Sequence, residues 1–251
     1  MSFSTIYRNY LWNFYALESN AFSEQSNVRN EKGFYAALQM DINSNWQWSC
    51  YADMYHFPKS SYYSNSPIRG RDYLVQLNYR LDKFYNSYLR IKNENKTIEV
   101  YHDVGLKKIE NLYQYSIQFQ NQYSISDFVF KNRLVWNTFQ NEMGYLLFQD
   151  LAYRPLNKKW SFSLRYVLFD TPSYSSRIYA YEPDVLYSFS VPIHYGEGQK
   201  YVAILSYKMK SKLTINFKYA QTQYFDQTPI RGGSIEGQLF SEFKILLKQV
   251  F

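Results

Sequence analysis

The chain has 251 residues and a net charge of +7, long enough for one large domain or two small ones. Aromatic residues make up 21% of it, with 28 Tyr, 19 Phe and 5 Trp. A soluble core rarely needs so many Tyr, because each buried hydroxyl needs a partner. Tyr and Trp suit a place where one end is apolar and the other wet, and a bilayer interface is such a place.

Mean hydropathy is −0.49. No run of about 18 apolar residues occurs, which excludes a transmembrane helix. It does not exclude spanning strands, whose two faces alternate and keep the average low. A single cysteine, Cys50, excludes a disulfide framework or a zinc site within one chain. Basic charge suits nucleic acid or anionic lipid. Here Lys and Arg are spread through strand-like segments rather than clustered, so no nucleic acid is expected as a partner.

The first residues, Met1 to Leu17, show no basic stretch followed by an apolar one and a cleavage site. A chain bound for the outer membrane needs an export signal. The expectation is therefore a signal already removed, or a fragment of something longer. Period-two alternation then predicts strands near 3–15, 33–42, 46–56, 72–82, 84–92, 97–107 and 112–120. Further strands are predicted near 127–139, 143–153, 160–168, 179–191, 201–210, 212–219 and 237–251. In 72–82, Tyr73, Val75, Leu77, Tyr79 and Leu81 oppose Gln76, Asn78, Arg80 and Asp82. In 160–168, Trp160, Phe162, Leu164, Tyr166 and Leu168 oppose Ser161, Ser163 and Arg165. A one-residue slip would reverse these faces, so register is well specified.

Turn residues separate the segments at Asn43-Ser44-Asn45, Asp82-Lys83, Pro155 to Lys158 and Met209-Lys210-Ser211. Longer connections are predicted near 17–32, 57–71, 171–178, 193–199 and 225–234. Short and long links in alternation match the two rims of a barrel. The fold expected is all-β: a single-domain antiparallel transmembrane β-barrel over 1–251, of roughly 12 to 14 strands, as a whole or as part of a larger one. The last segment places Leu239, Phe243, Ile245, Leu247 and the terminal Phe251 on one face. That pattern resembles the signal read by the outer-membrane barrel assembly machinery. Phe243, Ile245, Leu247 and Phe251 are its candidate residues.

Several stretches also resemble one outer-membrane family, whose barrel follows an N-terminal helix-hairpin-helix segment similar to that of DNA-uptake proteins. They are Phe22-Ser23-Glu24, Asn30 to Tyr35 and Tyr51 to Pro58. The longest runs through Leu168-Phe169-Asp170-Thr171, Tyr174, Ser176 to Glu182 and Asp184 to Pro192. The chain resembles the C-terminal barrel part, without the helix-hairpin-helix segment, so the resemblance implies location more than function.

Chemistry-bearing constellations are few. The histidines are His56, His102 and His194. His102 and Asp103 are neighbours on a strand and point to opposite faces. His194, near Glu197, is the best-placed candidate for a barrel enzyme acting on lipid or peptide; the plainer reading is a solvated loop histidine. There is no nucleophile elbow, phosphate-cradling loop or metal-ligand spacing, so no catalytic residue, metal or cofactor is expected. Arg177, Glu182 and Asp184 bring opposite charges together beside Tyr179 and Tyr181. They read either as an inward-folded loop or lumen charge network that sets selectivity, or as an ion-paired strand entry, the plainer reading. The row Lys208, Lys210, Lys212 and Lys218 could attract anionic solutes or lipopolysaccharide phosphates, or simply line a hydrated wall.

The function expected is that of a non-enzymatic outer-membrane protein: a pore, a plugged barrel or a component of a surface complex with an unidentified partner. Outer-membrane lipid, lipopolysaccharide and the assembly machinery are the expected partners. The alternatives are the barrel enzyme and a soluble, aromatic-rich, all-β binding protein.

Overall fold

The structure, a computed structural model, describes residues 1–15, 21–25, 28–59, 67–101, 107–210, 212–225 and 239–249. Its elements are β1 (Ser2–Tyr10), β2 (Glu31–Asp41), β3 (Trp46–Phe57), β4 (Ile68–Arg80), β5 (Tyr85–Tyr101), β6 (Lys107–Ile125) and β7 (Phe128–Phe139). They continue with β8 (Glu142–Tyr153), β9 (Trp160–Thr171), β10 (Ile178–Tyr179), β11 (Ile193–His194), β12 (Gly196–Lys210), β13 (Leu213–Tyr224) and β14 (Leu239–Gln249). Twelve of them form one up-and-down antiparallel sheet in chain order, with β12 following β9; β10 and β11 pair only with each other. No helix occurs among the described residues. The expected all-β antiparallel class and strand number are what the structure shows.

Alternation explains the register. Arg165 lies across from Val202, and Tyr166 across from Tyr201, so each strand keeps one apolar-aromatic face and one polar or tightly packed face. The Tyr166 and Tyr201 rings meet at 5.1 Å on the exposed face. The short links are held by their own side chains. The Asn43 amide oxygen accepts from the backbone N–H groups of Asn45 and Trp46, both at 2.9 Å. The Asp82 carboxylate does the same for Phe84 and Tyr85 at 2.7 and 2.9 Å. Both are turns closed by a short acceptor side chain.

Four predicted segments differ from the structure. Segments 84–92 and 97–107 are not two strands: β5 runs unbroken from Tyr85 to Tyr101. The polar stretch Asn93 to Lys96 resembles a turn in composition, yet Lys92 and Lys96 both pair with Glu94 along the strand. Segment 179–191 is not a strand of the sheet. Pro183 and Pro192 lack the N–H a central strand needs, and Glu182 makes only an isolated bridge to Ser190. Segment 193–199 is not a connection: β12 begins at Gly196 and stays in register with β9 to Thr171. Much of 17–32, 57–71 and 225–234, and Ser211, lies outside the described residues.

The chain divides into two compact units, Met1–Asn78 with Arg90–Ser116 and Tyr79–Leu89 with Ile117–Phe251. In the first, the packed face is polar. Arg8 on β1 is buried and lies flat over Gly33 on β2, where any Cβ would meet the guanidinium at 2.6 Å. The Tyr55 ring covers Gly70 in the same way, with the ring 2.2 Å from where a Cβ would stand. Only glycine lets a long side chain lie down on the neighbouring strand at these points.

In the second unit the packed face is apolar at one end. Leu146, Phe148, Val167 and Phe169 from β8 and β9 are buried with Ile178, Ala180 and Tyr224. A single sheet has no second layer of its own. The cover here is the stretch between β9 and β12, residues 172–195. Fully burying a Leu or Phe is worth about 1.5–3 kcal/mol, so this contact holds the stretch against the sheet before any charge is counted.

Candidate functional site

The site lies on the polar face of the second unit, where four strands each present a cation: Arg165 on β9, Lys200 on β12, Lys218 on β13 and Lys244 on β14. Lys218 and Lys244 are directly cross-strand partners. Like charges in that position repel, and burial makes the repulsion costlier. The strands offset it in part through Glu242 of β14, half-exposed, which reaches Lys244 at 2.9 Å and Lys218 at 3.6 Å. The segment 172–195 supplies the rest.

Glu182 reaches Lys200 at 2.5 Å and Lys218 at 2.9 Å. Asp184 reaches Lys218 at 3.2 Å and Lys244 at 2.7 Å. The Lys218 side chain is therefore shared by these two carboxylates, with Glu242 further off at 3.6 Å, and is 0% exposed, as is the Asp184 side chain. Arg165 makes a two-point bond to Asp150 on β8, at 2.5 and 2.7 Å, and donates to the Tyr181 carbonyl oxygen of the segment. Its guanidinium also stacks 3.9 Å from the centre of the Phe148 ring. Beside this clamp is a recess of about 340 Å³ whose lining includes Lys131, Asp150, Arg154, Arg165, Tyr181 and Asp184.

Burial pushes the Asp184 carboxyl up, but its bonds to Lys244, the Val185 N–H and Lys218 outweigh this and hold it below the usual carboxylate range. His194 closes the far end of the segment. It is 3% exposed and its ring lies 5.1 Å from that of Phe169. Burial, with Lys200 and Arg165 nearby, pushes its pKa down to about 3, so it is neutral. It is a packed histidine, not a solvated one.

The structure brings Glu182 and Asp184 together on one lysine, and places Arg177 elsewhere. The Arg177 guanidinium donates to the Tyr174 carbonyl at 2.7 Å and the Tyr179 hydroxyl at 2.9 Å. Of the lysine row, Lys218 joins the buried network; Lys208 and Lys212 are exposed near the β12–β13 turn. Phe243, Ile245 and Leu247 stand 65 to 70% exposed on one face of β14, with Phe243 packed 4.7 Å from the Tyr219 ring. Phe251 and His102 lie outside the described residues.

A second buried network, in the first unit, was not anticipated. Arg8 pairs with Glu31 on β2 and with Asp53 on β3 at 2.9 Å. Glu31 also accepts from the Ser23 hydroxyl at 2.5 Å and the Glu24 N–H at 3.1 Å. Asp72 on β4 pairs with Lys92 on β5 at 3.0 Å. The available signal was an arginine among aromatics on β1 with acids on the same face of β2 and β3, each two residues from the positions in register with it, Gly33 and Tyr55.

No protein-family model matches this chain, and no curated protein matches it. Solved structures of outer-membrane β-barrels do. CdiB from Acinetobacter baumannii is similar at a TM-score of 0.52 and 9% identity, over 88% of this chain and 44% of that one. This chain thus spans less than half of CdiB's length. The NanC porin is similar at a TM-score of 0.37 and 12% identity, covering 88% and 94% of the two chains. LpxR from Salmonella typhimurium is similar at 0.29 and 9%, covering 88% of each. These likenesses concern the fold alone. The expectation that the chain is not an enzyme is corrected: a fold does not decide the chemistry of a site placed on it.

Proposed function

We propose that this chain is an integral outer-membrane barrel protein whose interior is narrowed by its own inward segment, residues 172–195. One observation carries the reading: Glu182 and Asp184 of that segment pair with Lys200 and Lys218, which the strands bury on their polar face, and with the half-exposed Lys244. A wall carrying so much buried positive charge needs its counter-ions, so the segment is a built part of the barrel and not a surface loop. Outward Phe243, Ile245 and Leu247 on β14 suit strand recognition by the barrel assembly machinery and contact with lipid. The blocks that resemble barrels preceded by a helix-hairpin-helix segment support the same location.

The test is conductance of the refolded protein in a planar bilayer. Folding is established first, by gel migration that shifts on boiling. The folded wild type should pass small or intermittent currents, and replacing residues 178–193 by a short Gly-Ser link should raise the unitary conductance several-fold. A folded deletion variant with the conductance of the wild type would overturn the reading.

A further inference from the structure

We infer that the outward face of the first unit carries a binding site for the phosphate of a membrane-lipid headgroup, formed by Lys32, Arg69 and Arg71 with His56. The inference rests on the outer-membrane reading above and adds a site to it.

Strand parity puts these residues on the face opposite Arg8, Asp53 and Asp72. Lys32 on β2 lies across from His56 on β3, and two residues further along, Phe34 lies across from Met54. Arg69 and Arg71 stand at the start of β4 and alternate with Gly70 and Asp72, which are buried on the other face. The four basic side chains therefore sit at the strand ends next to the long connections β1–β2 and β3–β4. Directly below them on the same outward face come Phe34, Met54 and Val75, each over 40% exposed, with Tyr7 beside Phe34. An apolar band topped by basic groups is what a lipid with an anionic head and acyl tails would meet.

Charge pairing separates this cluster from the rest of the unit. On the packed face, Arg8, Lys92 and Lys96 each hold a carboxylate. Lys32, Arg69 and Arg71 form no ion pair among the described residues. They border a recess of about 690 Å³ whose lining includes Asn95, Thr97 and Asn111 and no carboxylate. Its dimensions suit a phosphorylated sugar head. Two guanidinium groups and an ammonium, with amide and hydroxyl donors alongside, match phosphate oxygens. The band of Phe34, Met54 and Val75 selects a phosphate joined to acyl chains over a free one.

Titrating bisphosphorylated lipid A into the folded chain in detergent micelles, with adducts counted by native mass spectrometry, tests this. Phosphatidylcholine and inorganic phosphate serve as comparison probes. The Lys32→Gln/Arg69→Gln/Arg71→Gln variant should bind lipid A about tenfold more weakly or worse, as expected from losing three cations at a lipid surface. Arg69→Lys/Arg71→Lys should keep most of the affinity, and Lys158→Gln/Lys159→Gln, at a short turn, should keep all of it. Wild-type binding by the triple variant would overturn the site. So would an equal loss in the Lys158/Lys159 variant, which would mean general charge attraction. Displacement of lipid A by millimolar inorganic phosphate would overturn the assignment to lipid. Absence of any boiling-dependent shift in gel migration would instead remove the outer-membrane reading, and this site with it.

Discussion

The two units bury charge by different means. In the first, the central pairs come from strands on both sides: Arg8 on β1 meets Glu31 on β2 and Asp53 on β3, and Asp72 on β4 meets Lys92 on β5, with only Glu24 reaching Lys96 from a connection, at 3.4 Å. In the second, the cations Lys200, Lys218 and Lys244 belong to strands, while the buried carboxylates that meet them, Glu182 and Asp184, belong to the segment between β9 and β12. A network held within neighbouring strands forms whenever the sheet forms. A network that borrows its acids from a segment can open while the sheet survives. The first is part of the wall and the second resembles a ligand bound to it.

Breaking each network at its centre gives the largest effect. Arg8→Met strands Glu31 and Asp53, and Lys218→Met removes the amine that Glu182 and Asp184 share, leaving Glu182 on Lys200 and Asp184 on Lys244 alone. Each should cost about 3–5 kcal/mol, the usual loss when one partner of a buried pair is removed. The two should differ in what is lost. Urea unfolding of the whole barrel should shift for Arg8→Met. For Lys218→Met much of the effect should appear as protease cleavage within 172–195 while gel migration stays barrel-like. Equal cleavage of the segment in both variants would erase the distinction between wall and ligand.

Acid should sharpen the same contrast. His194 has a folded pKa pushed down to about 3, against an ordinary value of 6.5, so the released state binds more protons between those values. Its contribution is complete above pH 6.5 and shrinks by about 1.4 kcal/mol per pH unit as the pH falls towards 3. Asp184, held below the usual carboxylate range, stays ionised through most of that window. Segment cleavage should therefore rise between pH 7.5 and 4.5, and His194→Phe should flatten the rise. An unchanged pH profile in that variant would show that another group controls release.

Smaller effects follow. Gly70→Val drives a side chain into the Tyr55 ring and should cost about 1–3 kcal/mol by overpacking, read from the urea midpoint of the refolded barrel. A cost near zero would mean that Tyr55 moves freely. Lys244→Met removes a partly exposed partner of Asp184, which keeps Lys218. It should cost no more than about 1 kcal/mol, and a larger loss would make Lys244 and not Lys218 the anchor of the segment.

Much of the wall was legible before any coordinates. Strand parity in 72–82 and 160–168 placed Val75, Leu164 and Tyr166 on the exposed face and Arg165 on the packed one, because a period of two leaves only two faces. What misled was composition. Segment 179–191 has the aromatic content of a strand, but local preference does not register that Lys218 and Lys244 will stand opposite each other some 30 to 60 residues later and need Glu182 and Asp184. Arg177 was grouped with those acids by nearness in sequence, whereas its actual partners are Tyr174 and Tyr179.

Sequence alone determined the class of structure: alternation, turn residues and aromatic content require an antiparallel sheet with one exposed aromatic and apolar face, since strand geometry acts on short stretches. Which charges meet was decided only by the tertiary structure. The pairs that carry the site, Glu182 with Lys218 and Asp184 with Lys244, join residues 36 and 60 positions apart. Burial makes such long-range pairing energetically decisive, and no local pattern encodes it.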